Sequence, residues 1–165
     1  MSSCVQISEN RYEWNFNKNT ELDGWKFGKS FGDIKINSGK LSATITGGDP
    51  AFINYGSIDI NTDEISSINI KYKNKTNSRK LKVYFVTDRK REYAEDSCFE
   101  IEVAPMSDSF VEYKINTDGN AAWNGILKNL VVVIDTEIPI DAAIKERGGI
   151  EIDSIGLLLK GEVIQ

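Results

Sequence analysis

In the stretch YEWNFNKNTELDGWKFG, residues 12–28, bulky aromatic side chains alternate with polar ones. Trp14 and Phe16 stand two residues apart with asparagine between them, which is the period of a strand with one buried and one wet face. An Asp-Gly turn signal follows at residues 23–24, and the alternation restarts at Trp25. The stretch therefore predicts a strand, a loop and a second strand.

The loop inside this stretch is rich in side-chain oxygen atoms, supplied by Asn17, Asn19, Thr20, Glu21 and Asp23. Oxygen atoms from carboxylates, amides and carbonyls are the ligands that calcium prefers. The same residues are also typical of an ordinary solvated loop. The composition of the loop alone leaves both interpretations open.

Short strand patterns recur along the rest of the chain and are separated by turn clusters such as GGDP at 47–50 and TDGN at 117–120. A spacing of about 8–12 residues between strands is typical of an all-β sandwich. A length of 165 residues suits one domain. We therefore predict an all-β fold in which residues 11–165 form a single domain and residues 1–10 a tail. The strands are predicted at Tyr12–Phe16, Trp25–Phe27, Ile34–Ile36, Leu41–Thr46, Ala51–Tyr55, Ser67–Lys73, Lys80–Thr87, Cys98–Val103, Phe110–Ile115, Ile126–Ile134 and Ile150–Leu159.

The composition excludes several classes of catalytic site. The chain has no histidine, and so it lacks the most common general base and the most common transition-metal ligand. Cys4 and Cys98 are its two cysteines and are not spaced as a metal or redox pair. The chemistry that is left to the chain depends on carboxylates, either as the acid pair of a glycoside hydrolase or as ligands of calcium.

Charge is unevenly distributed along the chain. Residues 71–91 hold nine lysines and arginines against one acid, and residues 92–118 hold eight acids against one base. The basic segment could form a face for an anionic polymer such as nucleic acid. Alternatively, the basic and acidic segments pair as neighbouring strands. We favour the second interpretation and expect no nucleic-acid partner.

Nothing in the sequence predicts membrane association or secretion by this segment itself. No window approaches the roughly 18 consecutive apolar residues of a membrane span. The N-terminal residues MSSCVQISENR lack the basic start and apolar centre of a secretory signal. We expect either a cytoplasmic protein or one module of a longer secreted chain.

Seven stretches of the sequence form a recognisable series, in chain order WNFNKNTELDGW, GKLSATITGGDPAF, INIKYKNKT, KVYFVT, FVEYKIN, AAWNGILKNLVVVI and GGIEIDSIGLLL. Together they resemble jelly-roll carbohydrate-binding modules, which are galactose-binding-domain-like, of bacterial multi-modular extracellular proteins. The resemblance implies a β-sandwich jelly roll of two antiparallel sheets. It also implies a non-catalytic module that binds a polysaccharide or oligosaccharide and lies, with other modules of the same polypeptide, outside the cell or at its surface. Alternatives are a structural or adhesion domain of the same fold and a small carboxylate-dependent glycoside hydrolase or lyase.

The resemblance assigns roles to several aromatic residues. In these modules the aromatic residues of the first strand and of the Gly-Trp pair fill one end of the core, which implies that Trp14, Phe16 and Trp25 are buried. Trp123 stands where the modules have Trp-x-Gly before a long strand. It is either a structural tryptophan under a loop or a ligand contact.

The resemblance also implies a structural calcium ion between the first loop and the last strand. Asp153 of EIDSIGL matches the last-strand contributor. The apolar register of this strand slips by one residue at Asp153, as a β-bulge would cause. Asn17 stands where the modules often have an acid, which predicts weaker binding. The expected ligands are Asp153, Asn17 and Asp23; alternatively, Asp153 accepts backbone hydrogen bonds from the loop.

A sugar-binding platform needs exposed aromatic rings beside polar side chains. In LKVYFVT, residues 81–87, the alternation leaves Tyr84 on the face opposite to the apolar one. Tyr93 follows in a loop that also contains Arg91, and Tyr55 ends a strand. The candidate ligand-binding residues are Tyr84, Tyr93, Tyr55, Arg91 and Trp123.

Overall fold

Two antiparallel β-sheets form the fold in the computed structural model, which describes residues 6–7, 11–16, 24–37, 39–135, 148–160 and 163–164. Two three-residue 3-10 helices, Thr62–Glu64 and Glu95–Ser97, lie between strands. The strands are β1 (Gln6–Ile7), β2 (Arg11–Trp14), β3 (Trp25–Phe27), β4 (Phe31–Asn37), β5 (Lys40–Ile45), β6 (Ala51–Asn54), β7 (Ile60–Asn61), β8 (Ile65–Asn74), β9 (Lys80–Thr87), β10 (Cys98–Glu102), β11 (Val111–Asn116), β12 (Ile126–Asp135), β13 (Gly149–Leu159) and β14 (Val163–Ile164).

Strands that are distant in the sequence lie side by side in the sheets. The first sheet has the order β11-β8-β13-β5-β4, and β2 also pairs with β13. The second sheet has the order β10-β9-β12-β6-β3, and β7 also pairs with β12. β1 pairs with β14. The predicted all-β sandwich jelly roll of two antiparallel sheets is confirmed.

The core lies between the sheets and is filled by one face of each strand. Leu81, Val83 and Phe85 of β9 are fully buried, while the residues that alternate with them are not. The aromatic residues of the opening stretch are in this core, because Trp14, Phe16 and Trp25 are 6%, 0% and 1% exposed. Their predicted burial is confirmed.

A β-bulge interrupts the pairing of β13 with β8, as the sequence predicts. Ile152 pairs with Tyr72 and Ser154 pairs with Lys71, and Asp153 has no opposite residue on β8. The extra residue shifts the alternation by one, and the apolar face of β13 therefore resumes at Ile155.

The basic and acidic segments pair as neighbouring strands, as predicted. Lys82 on β9 lies opposite Glu100 on β10, and Lys71 on β8 lies opposite Glu112 on β11. Lys80 Nζ lies 3.2 Å from Glu100 Oε1. In the described part of the chain, no helix is long and apolar enough to cross a membrane.

Candidate ligand-binding groove

The outward face of the second sheet carries a row of residues that crosses all five strands of its main path. Tyr84 of β9 lies opposite Cys98 of β10 on one side and Val131 of β12 on the other. Val131 lies opposite Ile53 of β6, which lies opposite Lys26 of β3. Because the residues on either side of Tyr84 point into the core, its ring faces away from the core.

An open groove of about 610 Å³ lies over this row and is mostly apolar and aromatic. This volume falls within the range of small-molecule sites, which are usually apolar with a few polar groups. The residues that line the groove are Ile53, Tyr84, Tyr93, Ala94, Glu95 and Val131.

A polar extension of about 330 Å³ adjoins the groove and shares Tyr84 and Glu95 with it. Lys82, Asp135 and Asp49 line this extension. Lys82 and Asp135 approach each other there, with Lys82 Nζ 4.0 Å from Asp135 Oδ2. The combined groove, by which we mean the groove and its extension, thus has an aromatic part and a charged part.

Local hydrogen bonds hold the loop that carries Tyr93. On one side of it, Thr87 Oγ1 accepts hydrogen bonds from the backbone N–H groups of Arg89 (3.2 Å) and Lys90 (2.9 Å). On the other side, Ser97 Oγ accepts a hydrogen bond of 2.9 Å from the N–H group of Ala94. Tyr93 itself is 46% exposed. The loop therefore presents an accessible ring at the edge of the groove.

Tyr55 lies beyond the end of β6, on the same side of the sheet as Ile53 by strand alternation. Its side chain is 62% exposed, and Lys26 Nζ lies 5.9 Å from its ring centroid. The backbone N–H of Tyr55 donates a 2.8 Å hydrogen bond to the carbonyl of Gly24. Tyr55 is not a lining residue of the groove but extends the same face past it.

The two tyrosines and the lysine of the groove keep their protons at neutral pH. Burial raises the pKa of Tyr84, as does the neighbouring Cys98 thiol, and burial also raises the pKa of Tyr93. Burial lowers the pKa of Lys82, but Tyr84 and the surrounding carboxylates, Asp135 first, more than offset this and the net shift is upward. The groove therefore offers two phenol O–H groups and one ammonium as hydrogen-bond donors.

The structure places the other two ligand-binding candidates outside the groove lining. Arg91 is exposed in the Tyr93 loop, and its Nε donates a 3.3 Å hydrogen bond to the carbonyl of Asp88. Trp123 lies on the inward side of the sheet, with its ring centroid 4.9 Å from that of Phe85 and 5.4 Å from that of Phe99. Trp123 thus packs against the core, which agrees with the first of its two predicted roles, that of a structural tryptophan.

Sequence reasoning missed the residues that surround the tyrosines. Val131 and Ile53 lie on strands that it predicted, but the pairing that puts them beside Tyr84 joins distant parts of the chain. Asp49 and Glu95 lie outside the strands, where no alternation indicates a side-chain direction. Strand geometry was the usable signal, because it puts Val131 and Ile53 on the face opposite to their buried neighbours Leu130 and Phe52.

The expected calcium site is only partly within the described residues. Asp153 lies beside Lys71, with 3.4 Å between Lys71 Nζ and Asp153 Oδ2. Asn17 and Asp23 lie outside the described residues. The residues that the structure does describe contain no group of three or more acids or cysteines that could hold a metal ion. Calcium stays a prediction, and the lysine already balances the charge of Asp153.

Comparisons with known proteins agree with this architecture. No protein-family model matches the chain, and no curated protein sequence matches it significantly. A xylan-binding module, CBM86, from the gut symbiont Roseburia intestinalis has a similar structure, with a TM-score of 0.58, 11% identity, and coverage of 92% of this chain and 96% of that one. A family 29 carbohydrate-binding module has a TM-score of 0.57 and 18% identity over 92% of this chain and 89% of that one. A variant of a family 29 module in complex with cellulohexaose has a TM-score of 0.56 and 17% identity, with 92% of each chain covered. The chain thus has the β-sandwich fold of carbohydrate-binding modules.

Proposed function

We propose that this protein is a non-catalytic carbohydrate-binding module that holds a polysaccharide in the combined groove. The observation that carries the proposal is the pairing of an aromatic, apolar floor with adjoining polar groups on one sheet face. Tyr84, Val131 and Ile53 form the floor, and Tyr93 stands at its edge. The C–H faces of a sugar ring pack against aromatic faces, whose π-electron clouds are negative. The hydroxyl groups around the edge of the sugar ring need hydrogen-bond partners, which the adjoining polar groups can supply.

The solved structures that resemble this chain support the ligand class. One is described as a xylan-binding module, and variants of another are described in complex with cellulohexaose and with mannohexaose. Those ligands belong to those proteins. They make xylan, cellulose derivatives and mannans the first polymers to test on this chain.

The direction in which carboxyl pKa values are shifted in this protein does not support a glycoside hydrolase. A general acid in such an enzyme needs a raised pKa. Hydrogen bonds from Lys128 and Ser57 lower the pKa of Asp59, and a hydrogen bond from Lys75 lowers that of Glu151. Neither residue lines the combined groove. The proposal therefore assigns binding and no bond cleavage.

The same proposal makes this protein one module of a longer bacterial chain that works outside the cell or at its surface. The support is the sequence resemblance to multi-modular extracellular proteins. In such a chain, the module would keep the other modules close to the polysaccharide, which raises their effective concentration there.

Native gels that contain xylan, hydroxyethylcellulose or glucomannan test the proposed function. We expect slower migration of the protein in at least one of them than in a gel without polymer. A reducing-sugar assay on the retained polymer should find no release of chain ends. Lack of retardation in every gel would favour the structural-domain alternative, and release of reducing ends would favour the enzyme.

A further inference from the structure

Carboxylates outnumber cations in the combined groove. Asp49, Glu95 and Asp135 line it together with a single ammonium, that of Lys82. Three carboxylates against one ammonium leave a net charge of −2 on the lining residues at neutral pH.

The one ammonium does not neutralise the groove evenly. Lys82 lies beside Asp135, at 4.0 Å. In the described part of the chain, no lysine or arginine makes an ion pair with Glu95 or Asp49. Glu95 lies between the aromatic part and the charged part, because it lines both. A ligand in the aromatic part is therefore next to a carboxylate that makes no ion pair within the described residues.

The loop beside the groove does not reverse this sign. Residues 88–97 contain three bases and four acids, Glu95 included. Within the loop, Lys90 Nζ lies 3.0 Å from Asp96 Oδ2, and Arg91 Nε is bonded to the carbonyl of Asp88. The cations of the loop are therefore partly engaged by the loop itself.

We propose that the groove selects uncharged polysaccharides over carboxylated ones, and that Glu95 and Asp49 make the selection. The inference rests on the proposed function, since it concerns the ligand of the same groove. A uronate or carboxymethyl group on the polymer meets a like charge, and such a contact disfavours the wrong ligand. The groove is open to solvent, so salt screens the repulsion.

Polymers that share a backbone and differ in charge provide the test. The pairs are hydroxyethylcellulose with carboxymethylcellulose, and unsubstituted xylan with xylan that carries glucuronic acid. Affinity is measured by electrophoresis in gels of graded polymer content, at low salt and at several times that salt. A repulsion near 1 kcal/mol at close range corresponds to about fivefold in affinity. We expect the carboxylated polymer to bind about fivefold more weakly than its neutral partner at low salt, and added salt to narrow this ratio.

Variants without the carboxylate charges test whether Glu95 and Asp49 cause the weaker binding of carboxylated polymers. In the Glu95→Gln/Asp49→Asn double variant, the ratio between neutral and carboxylated polymer should approach one at low salt. The control is Glu64→Gln/Asp63→Asn, which removes the same charge from exposed residues of the other 3-10 helix and should keep the wild-type ratio. Thermal melting shows that each variant is folded.

The outcomes separate this inference from the proposed function. If the wild type binds neither member of either pair and does not bind glucomannan, the proposed function fails and the inference fails with it. If the wild type binds the carboxylated polymer as tightly as the neutral one at low salt, only the charge selection is overturned. Equal ratios in the groove variant and in the control variant would overturn the assignment to Glu95 and Asp49.

Discussion

Tyr84 on β9 lies directly opposite Val131 on β12, and together they form the centre of the groove floor. Both residues sit on strands that are paired on each side within the second sheet. A side chain on such a strand is held more precisely than one on a loop. The platform is therefore formed before the ligand arrives, which lowers the entropy cost of binding.

Replacement of Trp25 by alanine should damage the fold. Trp25 is 1% exposed and stacks on Phe52 with 4.7 Å between ring centroids. Removal of a buried tryptophan leaves a cavity and costs about 3–5 kcal/mol. Urea unfolding of Trp25→Ala measures this loss. The control is Tyr55→Ala, which changes an exposed side chain and should keep the free energy of unfolding within about 0.5 kcal/mol of wild type. A Trp25→Ala variant as stable as wild type would show that this ring is outside the core.

Replacement of Tyr72 by phenylalanine should preserve stability at neutral pH or raise it slightly. The Tyr72 hydroxyl is buried and has no hydrogen-bond partner among the described residues, and a polar group in that state costs about 1–3 kcal/mol. The control is Tyr113→Phe, because Tyr113 Oη accepts a 3.0 Å hydrogen bond from the N–H of Ala104. Urea unfolding at neutral pH compares the two. Tyr113→Phe should lose stability. An equally large loss of unfolding free energy in Tyr72→Phe would contradict the prediction.

The same Tyr72 variant should also change the response of stability to alkali. Burial raises the pKa of Tyr72 well above the ordinary value of a tyrosine, and the nearby Tyr113 adds to the shift. The stability linked to this raised pKa is fully present below the unfolded pKa of about 10 and is lost as the pH rises above it. The unfolding free energy of Tyr72→Phe should therefore fall less steeply than that of wild type above about pH 10. If the unfolding free energies of wild type and Tyr72→Phe fell in parallel above about pH 10, Tyr72 would ionise as easily in the folded protein as in the unfolded one.

Calcium, if it binds at Asp153, should stabilise the protein. Free calcium at 100 times its dissociation constant adds about 2.7 kcal/mol by mass action. Wild type should then melt several degrees higher with calcium than with a chelator, and Asp153→Ala should erase the difference. Lys71→Ala removes the ammonium 3.4 Å from Asp153 and should enlarge the difference in melting temperature between calcium and chelator. Identical melting of wild type in calcium and in chelator would show that this site does not exist.

The basic segment, residues 71–91, should not retain the protein on heparin at about physiological salt. Its lysines lie beside acids, as in Lys73 and Lys75, whose Nζ atoms are 3.4 and 2.8 Å from Glu151 Oε2. Glu151→Gln frees both lysines and should increase retention at low salt. Firm retention of the wild type, with the steep salt dependence of a polyanion complex, would instead point to an anionic polymer as ligand.

The sequence predicted those features that depend on local alternation. The period of two in β9 was enough to place Tyr84 on the outward face, and a slip in that period marked the bulge at Asp153. Trp123 lies in a loop, where no period indicates which side of the sheet its ring takes. The groove itself depends on pairing between distant strands, as between Ile53 and Val131. Alternation within one strand carries no information about its neighbour.

The affinity of tyrosine variants for the polysaccharide shows whether the groove is the binding site. Tyr84→Ala, Tyr93→Ala and Tyr55→Ala should melt nearly as wild type does, because these side chains leave no core cavity. Tyr12→Ala is the control, since Tyr12 is 40% exposed but lies on β2 of the first sheet. On the polymer that retains the wild type, at least one of the three variants, Tyr84→Ala or Tyr93→Ala first, should lose about tenfold or more in affinity while Tyr12→Ala binds normally. If the folded Tyr84→Ala and Tyr93→Ala variants both bind as tightly as wild type, the groove is not the polysaccharide site.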